Sequence, residues 1–169
     1  MTLIIPDATR PKMQNYGIAT EETGLLAWDW VRKRLEKAQN YWVATTRPDG
    51  RPHVAPVWGI LLDDYVYFST GARSRKGRNL QANPAVALHL ESGIECVIIE
   101  GTVQAISDKA LYERIAPIYS QKYKPHGYEP TAADLAQNPM YRVAPHTVLA
   151  WLETDFPNTA TRWQFPQNS

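Results

Sequence analysis

The chain has 169 residues, of which 44% are hydrophobic and 21% charged, with a formal net charge of +1. Those values fit one domain able to bury a core without disulfides or metals; they exclude a disordered chain and a general polycation that binds nucleic acid. No stretch reaches the length of a membrane-spanning helix, and aromatic residues at 11% suit a strand-rich fold or a flat ring-shaped ligand.

Residues 1–23 hold Pro6 and Pro11 and no sustained period, so they read as an arm with at most a short strand at 3–5, while 24–169 read as a single domain. The first eleven residues lack the basic start and apolar run of a signal peptide, which makes the cytoplasm the expected compartment. From 24 to 40, Leu25, Trp28, Val31, Leu35 and Ala38 recur at helical spacing and Arg32, Lys33, Arg34, Glu36 and Lys37 fill the other face, predicting an amphipathic helix over a core. A strand at 41–46, a turn at Arg47-Pro48-Asp49-Gly50 and a second strand at 53–62 predict a hairpin. Pro52 and Pro56 mark that second arm as an exposed edge, a bulge or backbone turned toward a ligand.

Asp63-Asp64 turns the chain into a third strand at 65–70, followed by a small-residue turn and a helix that Ser74 caps and Asn83-Pro84 ends. Strands at 85–91 and 94–106 follow, the second interrupted at Glu100-Gly101 by a candidate bulge. Five antiparallel strands of this kind close naturally into a small barrel. Cys96, the single cysteine, reads as a buried strand residue and permits no disulfide within the chain. Asp108 caps a helix to about Lys122 in which Pro117 predicts a kink or a junction. Residues 124–139 read as a mobile loop or lid with a capping box at Thr131 to Asp134; strands at 141–152 and 159–165 complete the chain.

The chemistry concentrates at 65–84. Arg75 and Lys76 occupy the first turn of their helix, where the macrodipole already places positive partial charge, so a negative group is expected there. Free N–H groups at a helix start beside Arg and Lys make an anion site, and a phosphate suits it. There is no Walker loop, dinucleotide fingerprint, nucleophile elbow or metal-ligand spacing; His53, His89, His126 and His146 are scattered, with His89 reading as structural and His53 as starting the strand that faces the anion site. An antiparallel barrel rich in aromatics fits flavin mononucleotide (FMN), its phosphate on Arg75 and Lys76 and its ring along the strand from His53 to Trp58.

The runs Ala44-Thr-Thr-Arg-Pro-Asp-Gly-Arg-Pro-His-Val-Ala-Pro-Val-Trp, Tyr67-Phe-Ser-Thr-Gly, Ser74-Arg-Lys-Gly-Arg-Asn-Leu, Asn83-Pro and Val97-Ile-Ile-Glu-Gly-Thr-Val resemble the pyridoxamine 5′-phosphate oxidase-like split-barrel family. The likeness leans toward its flavin/deazaflavin oxidoreductase branch and covers residues 24–106, with a familiar ending at 160–165. It implies a mainly β fold with flanking helices, an antiparallel six-stranded split barrel, and a homodimer with cofactor sites at the subunit interface. By that resemblance, backbone groups of His53, Val54, Ala55, Pro56, Val57 and Trp58 line the isoalloxazine ring, while Phe68, Ser69 and Thr70 flank the phosphate tail. Ser74, Arg75 and Lys76 bind the phosphate, with Arg73 and Asn79 as second contacts and Trp151, Arg162 and Trp163 completing the pocket from the partner chain. The C-terminal stretch 159–169 lacks the Arg, His and Asp-Arg elements of true pyridoxamine phosphate oxidases, so vitamin B6 oxidation does not follow.

Three functions compete on this reading. The first is an oxidoreductase moving hydride between FMN and a small organic substrate, with a 5-deazaflavin coenzyme of the F-420 type as the alternative that would use Arg73 and Arg78. The second is a non-catalytic flavin-binding or stress-response module. The third, nucleic-acid binding through residues 73–78, is disfavoured by the near-neutral total charge, and no membrane partner is expected.

Overall fold

The computed structural model describes residues 2–166. In chain order its elements are β1 (Ala8–Thr9), α1 (Trp28–Lys37), β2 (Tyr41–Thr46), β3 (Pro52–Val57), β4 (Gly59–Leu62), β5 (Tyr65–Ser69), α2 (Arg75–Ala82), β6 (Ala85–His89), β7 (Glu95–Ile106), α3 (Lys109–Tyr123), α4 (Ala132–Leu135), β8 (Met140–Leu152), α5 (Phe156–Thr159) and β9 (Thr161–Gln164). Alternating apolar residues make these strands: along β2, Tyr41, Val43 and Thr45 point inward while Trp42, Ala44 and Thr46 do not.

The pairing closes a ring. β2 pairs with β3 and β6, β6 with β7, β7 with β8, β8 with β5 and β5 with β4, all antiparallel. β3 and β4 are two halves of one stretch that breaks at Trp58, the first half paired to β2 and the second to β5. The sheet has nine strands among the described residues: the ring, in which one predicted strand is divided into β3 and β4, and β9 and β1, which add to the outside of β8.

The irregularity expected at Glu100-Gly101 is present, but the extra residue belongs to β8: Glu100 faces Thr147 and Gly101 faces Pro145, leaving His146 unmatched. His146 O instead accepts from Phe165 N at 2.8 Å and Gln164 Nε2 at 3.1 Å, at the point where β8 changes partner from β5 to β9. A Cβ on Gly101 would lie 2.2 Å from Ala144 O, backbone that cannot swing aside. Gly101→Ala is accordingly expected to lower folding stability by about 1–3 kcal/mol, the usual cost of overpacking, in a chemical denaturation experiment.

Two apolar clusters hold the fold. One fills the barrel with Val43, Phe68, Leu88, Val97, Val143 and Val148 and receives Val31 and Leu35 from α1. The other lies between the sheet and α3, built from Ile60, Tyr67, Ile115, Tyr119, Tyr123 and Met140. α1 is shorter than its apolar period suggests, because residues before Trp28 are bound elsewhere, Leu26 N donating to Thr161 Oγ1 at 2.8 Å. The arm makes its strand at β1 and not at 3–5, and it lies on its own chain: the Arg10 guanidinium donates to the carbonyls of Glu21, Thr23, Asn158 and Ala160. Pro117 does not divide α3, which is a single helix.

The segment expected to be a lid is packed down. Thr131 and Asp134 form the predicted capping box, and Leu135 of α4 is buried against α3. Ser120 Oγ donates to Pro130 O at 3.2 Å, and Tyr128 N to Tyr123 O at 3.2 Å.

Candidate functional site

The turn between β5 and α2 is set by short hydrogen bonds among its own small residues. Ser74 is the N-cap of α2: its Oγ accepts from Gly77 N at 3.0 Å, and Thr70 Oγ1 lies 3.1 Å from it. Ser74 N donates to Gly71 O at 2.9 Å. A Cβ on Gly77 would lie 2.4 Å from Gly71 O, so only glycine lets the turn fold this tightly onto the helix. With Gly77 N satisfied by the cap, the N–H groups of Arg75 and Lys76 have no acceptor among the described residues.

Around those two open N–H groups cations prevail, although the charge of Asp49, itself paired to Arg51 at 2.7 Å, also reaches Arg47 and Arg75. Arg73, Arg75, Lys76 and Arg78 form no ion pair with a described residue, and α2 has no acidic residue in its first turn. Three of these side chains are exposed and Lys76 is half-buried. His53 of β3 stands in the same field. Partial burial, followed by the positive charges of Arg47, Lys76 and Arg75, holds its imidazole below the ordinary histidine range. The helix start, the β2–β3 turn and the head of β3 thus converge on one cationic corner.

Arg47 is the member of this corner that the sequence did not single out. It sits in a turn that accounts for it fully on local grounds, its N donating to Arg51 O at 2.9 Å, yet its Nε is buried with no partner among the described residues. Asn79, expected as a phosphate contact, is fully buried and faces inward: its Nδ2 donates to Thr45 Oγ1 at 2.9 Å, and Thr45 Oγ1 donates to His53 O at 3.3 Å. Asn79 therefore fastens α2 to β2 and β3, while its Oδ1 is buried with no partner among the described residues.

Among the described residues β3 is an edge, paired only to β2. Because Pro52 and Pro56 have no N–H, the ladder to β2 runs through His53, Ala55 and Val57, and Val54 is the one alternate position that keeps an outward donor. Val54 is 51% exposed and Val57 is buried in the barrel. Trp58, at the break, is held from several sides: its ring stacks on Tyr123 at 4.6 Å and 11°, and its carbonyl accepts from Tyr119 Oη at 3.0 Å. Tyr119, Tyr123, His126 and Tyr128, which surround it, carried no sequence signal beyond the helical period and loop chemistry.

The remaining expected residues divide. The Phe68 ring is in the barrel core, leaving only its backbone to face a ligand. Ser69 Oγ and Thr70 N both donate to Pro139 O, at 3.1 and 3.3 Å, tying the turn to the end of the 124–139 segment. Trp151 and Arg162 lie on β8 and β9, across the sheet from β3, with Trp151 Nε1 donating to Glu153 Oε2 at 3.1 Å and Arg162 against Thr9. Trp163 is 1% exposed, its ring 5.4 Å from Trp28 at 76°, so it belongs to the core of its own chain and not to a surface pocket. The last part of the C-terminal stretch, 167–169, lies outside the described residues. Cys96 is inert on this structure, burial pushing its thiol up to about 11. No group of metal-ligating side chains occurs among the described residues, and no helix there is long and apolar enough to cross a membrane.

Residues 27–152 match the family model described as pyridoxamine 5′-phosphate oxidase. A pyridoxine/pyridoxamine 5′-phosphate oxidase of Gluconobacter oxydans is 47% identical over 68 residues, 38% of this chain and 34% of that one, so the match spans about a third of that relative's length. Among solved structures, a conserved hypothetical protein of Mycobacterium tuberculosis superposes with a TM-score of 0.68 at 19% identity, over 94% of this chain and 96% of that one. An F-420 reductase superposes with a TM-score of 0.54 at 27% identity, over 69% of this chain and 94% of that one. With the closed antiparallel ring and the strand-turn-helix corner, the match over most of the chain makes this protein a member of the pyridoxamine 5′-phosphate oxidase family.

Proposed function

We propose that the protein is a cytoplasmic, homodimeric flavin-type oxidoreductase that holds FMN at the cationic corner and exchanges hydride with a small organic substrate. The observation carrying this reading is the start of α2, where two open backbone N–H groups meet the side chains of Arg75 and Lys76, neither of which is ion-paired with a described carboxylate, the nearby Asp49 being paired to Arg51. The residues fit a phosphate ester: N–H donors and cations bind the charge, and Gly77 keeps the turn close enough for both N–H groups to face one anion. The outward edge of β3 offers Val54 N–H and carbonyls to a planar heterocycle, while Trp58 and its tyrosines form a fixed wall at the end of that edge.

The isoalloxazine supplies the redox chemistry when bound, and the chain's own groups bind, orient and exclude water. Exposed Arg73 and Arg78 favour a second reading, a deazaflavin of the F-420 type whose polyanionic tail would use cations beyond Lys76. A non-catalytic flavin-binding module is the reading that remains if a coenzyme binds and no reductant or acceptor turns it over. The purified protein should carry, or take up, one of the two coenzymes in native mass spectrometry. Binding of the deazaflavin alone would remove FMN, and uptake of neither would remove the coenzyme reading altogether.

The corner also has a pH signature. Because His53 is held below its unfolded value, charging it beside Arg47, Arg75 and Lys76 opposes folding, an effect that sets in as pH falls through the ordinary histidine range. A bound phosphate reverses the local field, so His53 should titrate at higher pH with FMN present and FMN should bind more tightly as pH falls through that titration. Histidine ring resonances followed by NMR with and without FMN check this; an unmoved His53 would place the phosphate elsewhere.

A further inference from the structure

A second constellation, sharing no residue with the corner at α2, lies between α1, β4 and α3. A cavity of about 520 Å³ opens there, lined by Ile60, Leu61 and Ile118 with Glu36, Gln121 and Lys122 as its polar members. Lys122 is half-buried, and two bonds of 3.0 Å fix its Nζ, one to Tyr41 Oη and one to Gly59 O. On a tetrahedral nitrogen those bonds use two positions. The third holds either the extra proton of the ammonium or the lone pair of the free amine.

The surroundings decide which form is favoured. Glu36 from α1 and the rings of Tyr41, 4.8 Å away, and Tyr123, 5.5 Å away, favour the cation. Burial opposes it and is the larger effect, bringing the amine down to about 8. Neither neighbouring phenol relieves this by ionising, since burial raises Tyr41 far above its usual range and Tyr123 to about 12; Tyr119, next in the cluster, is raised as well. Near pH 8 about half of Lys122 is then free base, against roughly 0.4% of an ordinary lysine, a difference of about 100-fold.

We propose that Lys122 is a nucleophilic lysine that condenses with a small, uncharged aldehyde held in the α1/α3 cavity. The apolar lining from Ile60, Leu61 and Ile118 suits an aliphatic or aromatic aldehyde, and the Glu36 carboxylate disfavours an anionic one. The Nζ lone pair adds to the carbonyl carbon, and the carbinolamine loses its oxygen with the amine's two protons as water, leaving a C=N bond with no change of oxidation state. Of the two acceptors given up, Tyr41 Oη still donates to Leu35 O, and Gly59 O shares the single Tyr123 Oη proton with Gln39 O, each 2.8 Å away.

Benzaldehyde with cyanoborohydride near pH 8, followed by intact mass and peptide mapping of the parent protein, tests this. One benzyl group should appear, on the peptide carrying Lys122, at least about ten-fold ahead of exposed Lys109 and Lys124, with a rate that rises with pH to a plateau. Lys122→Arg should lose that adduct. Ile118→Trp, which fills the cavity and keeps the amine, should slow it. Labelling of the parent spread evenly over its lysines, or Lys122 remaining the slowest, would overturn the proposal without reference to any variant.

Discussion

Lys76→Ala is expected to bind FMN about 10- to 100-fold more weakly than the parent, the loss of one charge-assisted contact of about 1.5–3 kcal/mol. Lys76 has no described carboxylate partner, so its removal leaves no orphaned charge, and it lies outside both apolar clusters, so the thermal transition should not fall. Two features keep the loss from being larger: Arg75 and the two open N–H groups remain, and the helix dipole still points at the anion. Arg75→Ala should cost a similar amount, and the pair should weaken with added salt as exposed charges do. Flavin fluorescence titration at fixed ionic strength measures it. A variant that binds as tightly as the parent and melts at the same temperature would take the phosphate away from α2.

What the sequence made legible was local chemistry. Ser74, Asp108 and the Thr131–Asp134 pair cap their helices as their spacing implied, because a cap is decided within three or four residues. The strands of the barrel followed from alternation, which is equally local. The break at Trp58 was not legible: residues 53–62 read as one β-rich run in which Pro56 marked an edge or bulge but no end, and the separate demands of β2 and β5, which pair with opposite halves, divide them. The same limit applies to the candidate site. Asn79 and Arg78 are neighbours in a polar helix turn, and nothing in their spacing says that one faces Thr45 and the other solvent. Arg47 belongs to the cationic corner only because β2 carries its end beside α2, and the 124–139 segment is anchored by residues as distant as Ser69. Partners separated by 30 to 150 positions leave no periodic mark on either segment.

Trp163 shows the same limit with the largest energetic consequence. Trp163→Ala is expected to lower folding stability by about 3–5 kcal/mol, the range for removing a large aromatic from a core, and the melting temperature by about 6–20 °C for a chain of this size. The indole is 1% exposed and meets the ring of Trp28 edge-on at 5.4 Å, while the Trp28 indole N–H donates to Asp64 Oδ1 at 2.8 Å, a carboxylate that also accepts from Arg32 Nε at 3.0 Å. Emptying the site therefore loosens the seat of α1 as well as leaving a cavity, and α1 closes the barrel over Val31 and Leu35. Trp163→Phe keeps an aromatic body there and should recover more than half of the loss. Chemical denaturation separates this from a role in the coenzyme pocket, because a core residue changes the unfolding midpoint with coenzyme absent. If Trp163→Ala unfolded at the parent's midpoint and failed only to bind coenzyme, the indole would belong to the site and not to the core that holds α1 in place.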